Sequence, residues 1–312
     1  MKKNIQGENL HCRADNPAVD FLGKAFQGGN NRWYIYVLVL LFVFTVMALG
    51  TFPAAFHGLP YPWGGVLTPV QLSLQLLPYA AGVIGLLVGV RWFHGKRPTD
   101  ILTGRARFDV GRCLHAALIW GGILLASTGV EYALSPGEAP RFQFDPLPFL
   151  GTSLALVVLL PFQVGWEEAI FRGYLMQGAA ALFKYRWIPL AFTSIFFGLL
   201  HGRNPEVERF GFWVTMPQYI LMGLILGYVA IKDGGVELSL GLHFANNLLA
   251  TLLVTHESSA LRTPALFLDP SPSASPWDAA ATLARGLLFI WLCNRRYRFL
   301  SRNNLGEKIE RE

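Results

Sequence analysis

The stretch Trp166-Glu167-Glu168-Ala169-Ile170-Phe171-Arg172-Gly173-Tyr174-Leu175 sets two carboxylates and a guanidinium in the middle of otherwise apolar sequence. Charged groups buried in lipid are costly, so they face a protein interior or a wet cavity and often mark function. On an α-helix Glu168 and Arg172 share a face and pair, whereas Glu167 points roughly 100° away and is left for chemistry. Two more polar pairs fall at helical spacing in apolar runs: Phe197 with His201, and His243 with Asn247. A turn at residue 184 is equidistant in sequence from Glu167 and His201, so a hairpin brings those two side chains to similar depth. A carboxylate that takes a proton from water, a histidine that orients the water, and a histidine with an amide that donate to an oxyanion make a hydrolytic site. Glu167, His201 and His243 are also the three-ligand set that a catalytic zinc ion would take.

Each element has a plainer explanation when taken singly. A histidine in an apolar helix is a hydrogen-bonded packing residue, Glu168 with Arg172 pins two helices in register, and Asn247 joins helices. Function outweighs these because all of them occur in one chain, where every unpaired polar group in lipid is costly. His11, His57, His94, His115 and His256 lie in tails, loops or span ends and receive no role.

The elements that must position these residues are membrane spans. Of the 312 residues, 53% are hydrophobic and 15% charged, against roughly 25% charged in average soluble domains. The apolar blocks approach the ~20 residues that cross hydrocarbon. They predict an all-α polytopic helical bundle of about eight spans: Trp33 to Gly50, Val70 to Phe93, Leu114 to Leu134, Leu147 to about Phe183, Trp187 to Leu200, Phe212 to Ile231, Glu237 to Val254 and Trp277 to Cys293. The fourth is too long for one crossing and contains Pro161, so it either protrudes or breaks near residues 161 to 165. Gly85 with Gly89 and Gly223 with Gly227 are small-residue steps for close helix packing.

Twenty of the 26 lysines and arginines fall in segments expected on the cytoplasmic side. The outer loops hold only Arg141, Arg203, Arg209 and Arg262. This bias places both termini in the cytoplasm. Residues 1–32, ending in the flexible Gly28-Gly29-Asn30-Asn31, and residues 294–312 are basic cytoplasmic tails around a bundle at 33–293. The net charge of +6 is thereby a matter of membrane orientation, and no nucleic acid is expected. Cys12, Cys113 and Cys293 have no metal-type spacing and are read as free thiols. No cleaved signal peptide is predicted.

At this point the motifs resemble a known family. Glu167 to Leu175 is similar to the E-E-x-x-x-R signature of the CPBP (CAAX protease and bacteriocin-processing, or Abi) intramembrane proteases, which are related to type II CAAX prenyl endopeptidases. Phe197 to His201 resembles its F-x-x-x-H, and His243 to Asn247 its H-x-x-x-N. The three follow in order over a core at 148–255. The resemblance implies a membrane-embedded endopeptidase with Glu167 as the water-activating base and His201 as its partner. It implies oxyanion stabilisation by His243 and Asn247, and support from Glu168 and Arg172. The substrate would be a peptide or protein, with or without a lipid anchor, met in the bilayer, and the location the plasma (inner) membrane in a bacterium. Family members have been described both as zinc-dependent and as metal-free glutamate proteases. Asn247 is a poor zinc ligand, and no H-E-x-x-H cluster is present, which favours the mechanism that needs no cofactor. A non-catalytic immunity or scaffold protein of the same fold and a proton-coupled transporter are the competing classes.

Depth raises one conflict. His201 precedes an outer loop, while His243 lies about seven residues, or roughly 10 Å, from an inner turn. Protrusion of the hairpin tip at 184 and a recessed 202–211 segment reconcile the two, with a pocket open to the cytoplasmic side.

Overall fold

A computed structural model describes residues 20–52, 65–134 and 139–309. Helices dominate it: α1 (Trp33–Gly50), α2 (Pro69–His94), α3 (Val110–Leu134), α4 (Pro146–Leu182), α5 (Trp187–Leu200), α6 (Pro205–Phe210), α7 (Phe212–Asp233), α8 (Glu237–Leu252) and α9 (Pro276–Tyr297). Five of them, α1 to α4 and α7, are long and apolar enough to cross a membrane. The other three expected spans are helices as well. Of these, α5 is apolar but only 14 residues long, about 21 Å, and α8 and α9 carry more polar side chains.

Local chemistry starts the helices where the sequence punctuates them. Thr68 and Gln71 form a reciprocal capping box ahead of α2, with Pro69 at the first helical position, and Ser275 with Asp278 does the same for α9. Each box satisfies amide groups that have no intrahelical partner. The bundle is arranged for an apolar solvent. Leu118, Leu147 and Trp213 are more than three-quarters exposed, while Glu168 and Arg172 are buried. This is the inverse of a water-soluble surface and suits lipid.

The protein is an integral membrane helical bundle. Helix α1 packs on α2, α2 on α4, α5 on α7, and α8 on both α3 and α4. The small-residue steps act within the chain: Gly85 and Gly89 lie against Val46 and Val39 of α1, and Gly223 and Gly227 against Ser194 and Leu190 of α5.

Helix α4 does not break at Pro161 to Gly165. It continues for 37 residues, with its irregularity displaced to a π-helical segment, Glu168–Leu175. Wider π turns are rare and shift side chains away from α-helical spacing.

The segments expected on the cytoplasmic side gather at one end of the bundle. Arg186 pairs with Asp20, Lys24 with Asp100, and the Ile309 amide donates to the Lys184 carbonyl. Residues 28–31 are therefore not a flexible end. Phe21 and Leu22 are fully buried, the Asn30 amide donates to the His94 carbonyl at 2.8 Å, and the His94 ring contacts the Asn30 carbonyl and the Tyr174 hydroxyl at 2.7 and 2.8 Å. His94 is thus a buried structural link to the π-helical segment rather than a bystander. Phe299 and Ile309 anchor the second tail in the same manner. Burial pushes the Lys96 ammonium down to about 8, though it donates to the Lys24 carbonyl.

At the other end, a small sheet in the order β1 (Arg141–Phe142), β3 (Phe267–Leu268), β2 (Val254–Thr255) ties the loops together, with β1 antiparallel and β2 parallel to β3. Cys113 and Cys293 are buried free thiols. Cys12, His11 and His57 lie outside the described residues.

The start of α8 is held by ions. Arg105 spans Asp233 (2.8 Å) and Glu237 (3.1 Å), and Arg112 meets Asp233 at 2.6 Å. Next to this network the backbones of α8 and α3 nearly touch, since a β-carbon on Gly241 would stand 2.0 Å from the Cys113 carbonyl oxygen. Gly241→Val should therefore push α8 off α3 and cost about 2 kcal/mol or more. Thermal unfolding in detergent micelles will measure the drop.

Candidate active site

The polar residues singled out by spacing come together where α4 meets α8. Glu168 is fully buried, and its Oε1 accepts from Arg172 Nη1 at 2.9 Å, as the i,i+4 spacing predicts. The same oxygen lies 2.8 Å from Nδ1 of His243 on α8. A carboxylate oxygen only accepts, so His243 carries a proton on Nδ1 and turns Nε2 toward the rest of the site. Arg172 is further held by the Phe197 ring, 4.3 Å beneath its guanidinium carbon. That stacking suits the weakly hydrated guanidinium plane.

Glu167 does not stand apart from this pair as straight α-helical geometry predicts. Its Oε2 faces His243 Nε2 at 3.4 Å, so consecutive carboxylates address the two nitrogens of one imidazole. Glu167 itself has α-helical angles, φ −63° and ψ −43°, so the long glutamate side chains close the offset rather than the winding. Glu167 Oε1 accepts from Gln163 Nε2, while Oε2 is buried and has no hydrogen-bond partner among the described residues. Asn247, one turn beyond His243, donates through Nδ2 to Gln163 Oε1 at 3.2 Å and lies 3.3 Å from His243 Nε2.

His201 occupies a different place from the one expected. It ends α5 with Nδ1 against the Phe197 carbonyl at 2.8 Å, and its ring stacks on Tyr219 with centroids 4.6 Å apart. A carbonyl only accepts, so Nδ1 bears the proton and Nε2 is the acceptor. Among the described residues the direct histidine neighbour of Glu167 is His243, not His201. The Phe197 ring neighbours both histidines, with centroids 4.6 Å from His201 and 6.1 Å from His243. After the short α5, helix α6 packs inward through Val207. Glu206, on α6, accepts from the Ala260 amide at 2.8 Å, and burial raises its carboxyl above the usual range.

Glu167, His201 and His243 do not form a zinc centre here. Among the described residues no three His, Cys, Asp or Glu side chains are grouped to hold a metal. The Nδ1 atoms of His201 and His243 bond to Phe197 and Glu168, which leaves Nε2 as the open nitrogen of each ring.

Two contributors escaped the sequence reading. Gln163 sits one turn before Glu167, and a lone amide in an apolar run at that spacing is the signal that marks it. Tyr219 comes from α7, and its hydroxyl accepts from Asn204 Nδ2 at 3.0 Å. No sequence spacing links it to His201, because only the fold brings α7 against α5.

A family model described as type II CAAX prenyl endopeptidase Rce1-like matches residues 149–249, a range holding every residue of this cluster. Among curated proteins, the uncharacterized protein YyaK of Bacillus subtilis (strain 168) is 30% identical over 225 residues, covering 70% of this chain and 73% of that protein. An uncharacterized 24.3 kDa protein of Escherichia coli is 24% identical over 138 residues, 44% of this chain and 59% of that protein. No solved structure matches the chain.

Replacing Glu168 by Gln keeps the shape but strands Arg172 in the interior. Breaking one side of a buried ion pair should cost about 3 kcal/mol. Chemical denaturation of the two proteins in micelles will read the difference, and NMR of the His243 ring nitrogens should show loss of the fixed Nδ1 proton.

Proposed function

The chain belongs to the Rce1-like family of type II CAAX prenyl endopeptidases, a family of membrane-embedded peptidases, and from that premise we propose that it hydrolyses peptide bonds with water activated by Glu167. The observation that carries this reading is the Oε2 atom of Glu167. It is buried and has no hydrogen-bond partner among the described residues, and it faces the nitrogen of His243 beside which Asn247 Nδ2 also lies. Base and oxyanion donors thus line one small space.

In the proposed reaction a water donates a proton to Glu167 Oε2 while its oxygen attacks the scissile carbonyl carbon. The negative charge that develops on the carbonyl oxygen is met by an N–H of Asn247 and by His243, which carries a second proton at Nε2 besides that on Nδ1. The Nε2 proton turns from Glu167 Oε2 to the oxyanion as Oε2 takes the proton of the water. As the tetrahedral intermediate collapses, the carbon–nitrogen bond breaks and Glu167 passes its proton to the leaving amine. Glu168 holds His243 by Nδ1 throughout, and Arg172 keeps Glu168 in place. His201, with Nδ1 held by the Phe197 carbonyl, offers Nε2 as an acceptor that orients the water. No metal takes part in this scheme.

The substrate is a peptide or protein chain entering from the bilayer, near a membrane-anchored and lipid-modified terminus. Support comes from the site's place among helices α4, α5 and α8, of which α4 and α5 present apolar outer faces, as at Leu154, Phe192 and Ile195. A non-catalytic immunity or scaffold role gives no account of a buried carboxylate, imidazole and amide cluster that leaves Glu167 Oε2 without a hydrogen bond among the described residues. Proton relay leaves the paired amides unexplained.

Purified protein in liposomes should cleave prenylated reporter peptides faster than unprenylated ones, with rates followed by mass spectrometry. Glu167→Ala should lower kcat by about 1000-fold, as expected when a general base is removed. Activity should survive exhaustive chelation. Cleavage that Glu167→Ala leaves undiminished, or no cleavage by the wild type across many peptides, would defeat the reading.

A further inference from the structure

We propose that Gln163 is a positioning residue that sets the direction in which Asn247 donates and selects which oxygen of Glu167 takes the proton. The inference rests on the hydrolytic reading above. Chemistry alone orients the chain of groups. A carboxylate oxygen has no hydrogen to give, so the amide nitrogen of Gln163 must be the end that faces Glu167 Oε1. Its carbonyl end is then directed at α8, where Oε1 accepts from Asn247 Nδ2 at 3.2 Å. Asn247 is thereby obliged to turn its nitrogen toward Gln163 and His243, with Oδ1 accepting from Asn246 Nδ2 at 3.2 Å. The negative charge on Glu167 therefore fixes the polarity of Asn247 through one intervening amide.

Two consequences follow for the reaction. First, one N–H of Asn247 is committed to Gln163, and the other, now 3.3 Å from His243 Nε2, is the one left to turn to an oxyanion. Without Gln163 the Asn247 amide could rotate by half a turn and present its oxygen, which repels a developing oxyanion. Second, Glu167 Oε1 is occupied, so the proton from water arrives on Oε2, the oxygen beside the reacting space. Gln163 is itself buried and comes from α4, while Asn247 comes from α8, so the same amide also holds base and oxyanion donor in register across two helices. Small misplacements of such groups are costly in rate.

The test compares wild type, Gln163→Leu, Gln163→Glu and Glu167→Ala, each as the full chain in liposomes, on a reporter peptide the wild type cleaves. Gln163→Leu should lower kcat about 100-fold while KM stays within about two-fold, the pattern of a group that serves the transition state. Gln163→Glu adds a readout that a merely structural role would not move. Its new carboxyl imitates the amide only while protonated and able to donate to Glu167; once ionised it sets two like charges at contact. Its rate relative to wild type should therefore be best at acidic pH and fall as pH rises. Gln163→Leu at the wild-type kcat, or Gln163→Glu with the wild-type pH profile, would overturn the proposal while a dead Glu167→Ala leaves the peptidase reading standing. If Gln163→Leu does not fold, as read by its thermal transition, the pH profile of Gln163→Glu decides alone. A wild type that cleaves nothing overturns both.

Discussion

One oxygen atom of Glu168 accepts from Arg172 within its own helix and from His243 across the bundle. A bare carboxylate in such surroundings would be prohibitively expensive, and so would a bare guanidinium. Each becomes tolerable only because the other is present with good geometry. The imidazole then finds its place at the same oxygen, Oε1, whereas Oε2 of Glu168 is buried with no hydrogen-bond partner among the described residues. The rest of the local structure is arranged around this shared atom. Phe197 floors the guanidinium, and Gln163 and Asn247 close the far side.

Holding α8 where His243 can reach Glu168 falls to features distant from the cluster. The Asp233, Glu237, Arg105 and Arg112 network fixes where α8 begins, six residues before His243. Gly241, two residues before it, lets the helix lie against α3 at backbone distance. From the opposite side, the docked N-terminal strap reaches the π-helical segment through Asn30, His94 and Tyr174. The segment that bears Glu168 and Arg172 is thus buttressed by the end of the chain that charge alone would assign to solvent.

The two ends of the bundle differ in kind. One is knitted by buried ion pairs between segments far apart in sequence; the other is closed by short strands and loop hydrogen bonds. Between them the lipid-facing surface is almost wholly aliphatic and aromatic. In such surroundings the electrostatic interactions inside the cluster are less screened than they would be in water. The same few hydrogen bonds therefore serve both folding and the proposed chemistry, and the residues that anchor the fold locally are also those that orient the reacting groups.

Much of this was legible without coordinates. Apolar runs of spanning length, the bias of positive charge, and three polar motifs at i,i+4 spacing are local properties of the chain, and helices in lipid must obey them because no other backbone arrangement satisfies its own hydrogen bonds. From them came the helical bundle, the Glu168–Arg172 pair and the candidacy of Glu167, His243 and Asn247. Tertiary structure alone decided which groups actually touch. It gave His243 to Glu167 as its direct histidine neighbour, because α8 lies against α4. It set both consecutive carboxylates on one imidazole, a convergence that helical periodicity does not contain. It also drew Gln163 and Tyr219 into the site and folded supposed tails onto the bundle. Such contacts depend on distances between segments remote in sequence, and helical spacing carries no information about them.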